Sequence, residues 1–355
     1  MRVHATTVRL QCEEVFKAWG MRADYASATS DRLAYADLHG VDSHGIALLP
    51  LYARLKSEGR IDFSAEYRVL QSGIATVLID AQGGLGHPAG TEAMRLAIEK
   101  ARTTGIAAAA VRRSNHFGAG GAYTELAVRA GLVGLAFSAA WDPAIVPTNG
   151  AEPRFGTNPL AVAAPTGDGT PFSFDIATST VALGKIRLAR LHGRTLAPGW
   201  ALNENGQTET SPEAALKTPR LTPLGATAEL GSHKGYCLAA AVEVLSTVLP
   251  GAWYCATREA RHGVTSEFNV GHFFIVIDPR AFRAAGEFEA DLQDMMASLR
   301  ATRPADPGTP VLAPGDPEAR AFTQRTAQGV DIPPMLVGQL RDIVQSAGAA
   351  WLLGA

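Results

Sequence analysis

The 355-residue chain is poor in cysteine and has no surplus of charge. Its three cysteines, Cys12, Cys237 and Cys255, are odd in number and form no C-x-x-C pair. That argues against a disulfide framework and against a thiolate zinc site, and leaves them as small buried hydrophobes. Lys and Arg number 32 against 34 Asp and Glu, a formal charge of −2. Such a balance removes the usual electrostatic case for nucleic acid or an anionic membrane as partner. No uncharged apolar run approaches the ~20 residues of a spanning helix. Leu238–Leu249 comes nearest, and it is short and carries Glu243. Arg9, Glu13, Glu14 and Lys17 interrupt the N-terminus where a secretory signal would be apolar. A soluble, cytoplasmic protein is expected. There is no H-E-x-x-H, no G-x-S-x-G and no G-x-x-x-x-G-K-[ST], and the histidines are scattered, so no metal site is expected.

What is present reads as a globular α/β chain with helical ends and a mixed centre. Val8, Cys12, Val15, Phe16 and Trp19 share a helical face, with Thr6 or Thr7 as cap and Gly20 as stop. A second helix covers 22–39. A third runs from about Ile46 to Ser57. Strands are expected over 75–80, 106–112, 133–138, 160–164, 171–175 and 273–278. Helices are expected over 88–103, 122–130, 181–191, 234–249, 287–302, 317–328 and 334–346. The Asn-, Thr- and Pro-rich stretch 198–223 reads as loop.

Several turns carry chemistry. Gly84-x-Gly86-x-x-Ala89 follows a strand and opens a helix, as a dinucleotide fingerprint does. No acid ends the next strand, so a glycine-rich strand–helix turn is the plainer reading. Asp42-Ser43-His44-Gly45 holds an imidazole beside a hydroxyl and an acid, either as an acid/base or as a capped helix start. Ser114-Asn115-His116-Phe117-Gly118 sets a second histidine after an apolar strand, a common place for catalytic groups. Thr178 and Ser179 offer hydroxyls and free N–H groups at a helix start. Lys234 sits unfavourably at a helix N-terminus, where an anionic ligand or plain solvent would compensate.

In order, Gly40 to Ile46, Asn115 to Ala119, Phe155 to Leu160, Asp175 to Ser179 with Gly184-Lys185, Gly199-Trp200-Ala201 and Lys234-Gly235-Tyr236 resemble the malate/L-lactate dehydrogenase type-2 family. Its members include ureidoglycolate dehydrogenase, sulfolactate dehydrogenase, diketogulonate reductase and piperideine-2-carboxylate reductase. The resemblance spans nearly the whole chain. It implies an NAD- or NADP-dependent oxidoreductase of non-Rossmann fold, active as a homodimer on a small-molecule substrate. A largely antiparallel sheet domain (residues 73–282) would bind the cofactor, inserted in a helical base and dimerisation domain built from both termini (1–72 and 283–355). It implies His44 as proton donor and acceptor, with Ser43 beside the substrate and His116 as a second candidate acid/base. It also implies cofactor contacts from Asp175, Ile176, Ala177, Thr178 and Ser179, from His233 and Lys234, and from Gly315 and Asp316.

The sequence departs from that pattern around the substrate. Family members usually carry an Arg four residues after the histidine, paired with a substrate carboxylate; here that residue is Leu48. A Thr-Asn pair after the 133–138 strand becomes Ala139-Ala140-Trp141, and a glutamine after Gly86 becomes His87. The expected pocket, with Leu48, Trp141, Thr157 and Asn158, is therefore altered. The rival reading is a nicotinamide-binding protein without turnover. A metal-dependent hydrolase is a further alternative, marked by bound metal and chelator sensitivity.

Overall fold

The computed structural model describes residues 1–263 and 267–354. β1 (Arg2–Val3) leads into α1 (Ala5–Ala18) and α2 (Ala23–Leu38). The helical spacing of α1 buries Val8, Cys12, Val15 and Phe16. Its cap is the His4 ring, which accepts from the Thr6 N–H at 3.3 Å, in place of the expected threonine hydroxyl. Gly20, at φ +97°, supplies the left-handed stop. Beyond α2, 3-10 turns at Asp42–His44 and Ile46–Leu48 precede α3 (Leu49–Ser57). The expected third helix is thus α-helical only from Leu49, with Pro50 in its first turn.

The sheet follows. β2 (Arg68–Ser72), β3 (Thr76–Asp80), α4 (Gly86–Thr104), β4 (Ile106–Ser114), α5 (Gly121–Arg129), β5 (Val133–Ser138), β6 (Leu160–Ala164), β7 (Phe172–Ile176) and α6 (Leu183–Leu191) come in chain order. β2 was not expected: every one of its residues is exposed, so it shows no apolar alternation. The stretch read as loop holds β8 (Ala201–Leu202), β9 (Thr208–Glu209) and α7 (Pro212–Lys217). These are too short to show a period. α8 (Ser232–Glu243) passes into a π-helical turn, Val244–Val248, so the helix expected over 234–249 is present but π-helical in its last turn. α9 (Arg258–His262), β10 (Val270–Ile277), α10 (Glu287–Arg300), α11 (Asp316–Gln328), β11 (Val330–Asp331) and α12 (Pro334–Ala347) complete the chain.

The large sheet runs β2-β3-β4-β10-β5-β6-β7. Only β3 and β4 are parallel; the other neighbours pair antiparallel. β10, late in sequence, takes the centre, where Phe274 lies opposite Ala109 and Ala136. Its ladder shifts register around Gly271. A side chain there would collide with the Ser246 carbonyl of the π turn, with the Cβ at 1.7 Å, so glycine permits that close approach.

Two apolar cores flank the site. One gathers α1, α2, α3 and the C-terminal α12 around Phe16, Leu33, Leu49, Tyr52, Leu340 and Val344. The other lies between the sheet and helices α4 and α5, around Met94, Tyr123 and Phe274. A smaller cluster packs Ile186, Leu196 and Leu221. Cys12 and Cys255 are buried, but Cys237 is exposed on α8, which corrects the reading of all three as buried. No helix among the described residues is long and apolar enough to cross a membrane.

Candidate active site

The two histidine turns meet between these cores. β4 and β5 end on either side of β10, and His272 of β10 joins them. Its Nδ1 lies 2.8 Å from the Ser138 hydroxyl and its Nε2 2.9 Å from that of Ser114. Phe117 stacks on the same ring at 4.5 Å. Burial pushes the His272 imidazole down to about 3, so it is a neutral fastener. The fixed turn presents His116.

His116 has a defined tautomer. Its Nδ1 lies 2.8 Å from the Tyr52 hydroxyl and accepts the Gly118 N–H at 3.3 Å. A backbone N–H donates only to an unprotonated nitrogen, so the neutral ring carries its proton on Nε2. Burial, with His44 and His272 nearby, holds His116 down at about 3. His44 lies alongside, its ring 5.6 Å from that of His116 and 22° from parallel. The Ser43 hydroxyl engages His44 Nδ1 at 2.8 Å. Burial lowers the His44 pKa as well. Both rings remain partly exposed.

The His44 turn is anchored from beneath. Asp37 of α2 is buried, and its carboxylate accepts the Ile46 N–H at 2.9 Å. Burial raises that carboxyl to about 7. A Cβ on Gly45 would lie 1.8 Å from Asp37 Oδ1, so only glycine lets the turn close over the acid. Arg325 of α11 donates to the Asp37 carbonyl at 2.6 Å and pairs with Asp42 through Nη2 at 3.1 Å. Asp42 therefore serves as an ion-pair partner.

Trp141 completes one wall, its ring 5.6 Å from His116 and 5.4 Å from Phe268. Leu48 is buried in the core against which Trp141 packs. His87 is fully buried beside Tyr52, and neither ring nitrogen has a hydrogen-bond partner among the described residues. A Cβ at Gly118 would lie 2.7 Å from His87 Nε2. The fingerprint glycines serve packing: a Cβ on Gly86 would lie 2.6 Å from the Asn115 carbonyl. The Gly86 N–H donates to the His116 carbonyl at 3.0 Å.

The other residues singled out from sequence lie further round the sheet. Asp175 accepts the Gly121 N–H at 3.0 Å, at the start of α5. Burial raises its carboxyl. Ile176 is exposed and Ala177 half-buried. Thr178 donates its N–H and hydroxyl to the Thr157 carbonyl, at 3.0 and 3.1 Å. Ser179 donates to the Val181 carbonyl at 2.8 Å. Both hydroxyls are thus engaged by backbone carbonyls. Asn158 is buried, its amide donating to Glu243 at 2.8 Å and to the Ala239 carbonyl at 3.0 Å. Gly315 opens α11, and Asp316 pairs with Arg300 at 2.8 Å. His233 and Lys234 are exposed at the start of α8. Lys234 makes no ion pair among the described residues.

Asp37, Tyr52, His272 and Arg325 were missed in sequence. Asp37 and His272 left a trace, as polar residues inside otherwise apolar patterns. Tyr52 and Arg325 left none, since only the fold brings them to the site. Among the described residues, no group of three His, Cys, Asp or Glu side chains is placed to hold a metal.

Paired imidazoles with tethered Nδ1 atoms suit proton movement beside a redox carbon, and comparison with known proteins places the chain among dehydrogenases. The malate/L-lactate dehydrogenase family model matches residues 3–341, and the chain belongs to that family. The malate dehydrogenase of Pyrococcus abyssi is 34% identical, over 94% of this chain and 91% of that protein. The crystal structure of malate dehydrogenase from Entamoeba histolytica superposes with a TM-score of 0.94 at 31% identity, covering 99% of each chain. The delta1-piperideine-2-carboxylate reductase of Pseudomonas syringae gives 0.84 at 30%, covering 97% of this chain and 99% of that one. The protein is accordingly an NAD(P)-dependent oxidoreductase.

Proposed function

We propose that the protein moves a hydride between NAD or NADP and the C=O/C–OH or C=N/C–NH carbon of a small acid. The substrate would be a 2-oxo or 2-hydroxy acid, or a cyclic imino acid relative. The observation that carries this reading is the His44–His116 pair, 5.6 Å apart, with each Nδ1 engaged by a hydroxyl. That leaves both Nε2 atoms for substrate.

The residues divide the work. The nicotinamide, when bound, supplies or accepts the hydride. His44 moves the matching proton, because burial lowers its pKa less far than that of His116, which leaves it the freer to change charge. His116, neutral with its proton on Nε2, donates a hydrogen bond to the substrate oxygen as negative charge grows there. Ser43 holds the His44 ring in register. Trp141 and Leu48 exclude water from the reacting carbons. His233 and Lys234 would hold a cofactor phosphate; the segment Asp175 to Ser179, with Gly315 and Asp316, would shape the rest of the cofactor cleft.

Residues 73–282 are read as the NAD(P)-binding domain, of non-Rossmann type. Residues 1–72 and 283–355 are read as the helical base, through which two copies associate as a homodimer. The pocket is read as altered, with Leu48 and Trp141 in place of polar substrate contacts. Calorimetry with NADH and NADPH, then an absorbance assay with pyruvate, oxaloacetate and piperideine-2-carboxylate, tests the function. Cofactor binding with turnover of at least one substrate is expected. Binding of neither dinucleotide would overturn the reading.

A further inference from the structure

An oxo or hydroxy acid brings a carboxylate into a cleft whose near wall is apolar. Leu48, one turn beyond His44, is buried in the core and offers that anion nothing. Two guanidinium groups instead approach the aromatic wall on the Trp141 side. Arg258 lies 5.4 Å and Arg60 5.0 Å from the centre of the Phe268 ring, and that ring lies 5.4 Å from Trp141. Arg60 is the more exposed and is paired with Glu58 at 3.1 Å. Arg258 differs. Its side chain is only 17% exposed, and Nη1 donates to the Trp141 carbonyl at 3.0 Å. Its nearest carboxylates among the described residues, Glu259 and Asp142, stand at 3.8 and 3.9 Å, beyond hydrogen-bond length. A largely buried cation so loosely compensated is where an anion is worth most.

We propose that Arg258 binds the substrate carboxylate, at the edge where the Trp141–Phe268 wall borders the His116 side of the site. The proposal rests on the dehydrogenase reading and names the anion contact within it. The site would therefore take acids whose carboxylate reaches the Trp141–Phe268 wall, with the reacting carbon left between His44 and His116. Arg258 is a substrate-binding residue here; it moves no proton. Its position on α9, outside the Ser43–His44 turn, separates recognition of the anion from proton transfer. Substitution should therefore affect KM far more than kcat.

The test uses oxamate, a 2-oxo acid mimic that is not reduced, titrated calorimetrically into the protein saturated with NADH or NADPH. Arg258→Met should weaken oxamate binding about 10- to 100-fold, the worth of a hydrogen-bonded charge. Arg258→Lys, which keeps the charge and loses the planar fork, should fall between the two. Cofactor affinity should be the same in all three proteins. Equal oxamate affinity in wild type and R258M would overturn the proposal, as would a wild-type complex that binds cofactor but no oxamate. So would R258K and R258M losing oxamate and cofactor together, which marks a purely structural residue. Each of these leaves wild-type cofactor binding intact, whereas failure of the dehydrogenase reading abolishes it.

Discussion

The two histidine turns of the site are built on opposite plans. The His116 turn hangs from strand ends fastened by a buried imidazole, and every contact of His116 Nδ1 is made inside the protein. The His44 turn is an exposed 3-10 segment held from below by a buried carboxyl, and from the side by an arginine nearly three hundred residues away (|i−j| = 288). The first plan fixes a tautomer and suppresses charge. The second leaves a half-buried ring whose pKa burial lowers less far. The difference supports the proposed roles: a neutral, oriented donor at His116 and a titrating proton carrier at His44.

The largest way to break this comparison is to exchange the carriers. His44→Asn should cut turnover about 10²–10⁴-fold with cofactor affinity nearly intact. His116→Phe, which removes one donor to developing charge, should cost about 10²-fold. Measured kcat and calorimetric cofactor affinity decide between them, and a larger loss at His116 would reverse the assignment. Next comes the anchor. Gly45→Ala drives a methyl into Asp37, so the turn must shift; a stability loss of about 1–3 kcal/mol is expected, with turnover falling alongside. Denaturant unfolding measures the first effect and kcat the second.

Much of this was legible in sequence, and what was not has physical reasons. The strands 133–138 and 160–164 were read to the residue, because apolar β-branched and small residues fill them without a break. The two histidine turns were singled out because Ser-His-Gly and Asn-His-Phe-Gly are chemically conspicuous. Tyr52 was not, since nothing in a leucine-rich amphipathic helix tells that its hydroxyl faces a histidine 64 residues later. The strand 68–72 was missed because it lies at the sheet edge with both faces exposed. The π turn was missed because i→i+5 bonding leaves no periodic trace over five residues.

The pH response sharpens the comparison further. His44 must be protonated to deliver a proton during carbonyl reduction, and its pKa is lowered by burial. Reduction should therefore decline as pH rises through a value below the ordinary 6.5, and the reverse oxidation should decline as pH falls through it. Stability follows the buried ring instead. His272 has a folded pKa of about 3 against 6.5 unfolded, so its contribution is complete above 6.5 and is lost as pH falls from 6.5 toward 3. By pH 5 that loss amounts to about 2 kcal/mol. Replacing His272 with Asn should flatten the drop in Tm between pH 7 and pH 5; an unchanged drop would place the acid-sensitive group elsewhere.

The smallest effect isolates the tautomer. Tyr52→Phe removes the hydroxyl from His116 Nδ1 and leaves the Gly118 N–H as its remaining partner at 3.3 Å. One lost hydrogen bond is worth about 1 kcal/mol, so turnover should fall about fivefold or less, with Tm only slightly changed. The proton should stay on Nε2, because the backbone donor still faces Nδ1. Nitrogen-15 NMR of the imidazole reads this directly: wild type and Tyr52→Phe should both show Nε2–H at pH 7. A switch to Nδ1–H in the variant would mean that the tyrosine, not the fold of the His116 turn, sets which nitrogen meets the substrate.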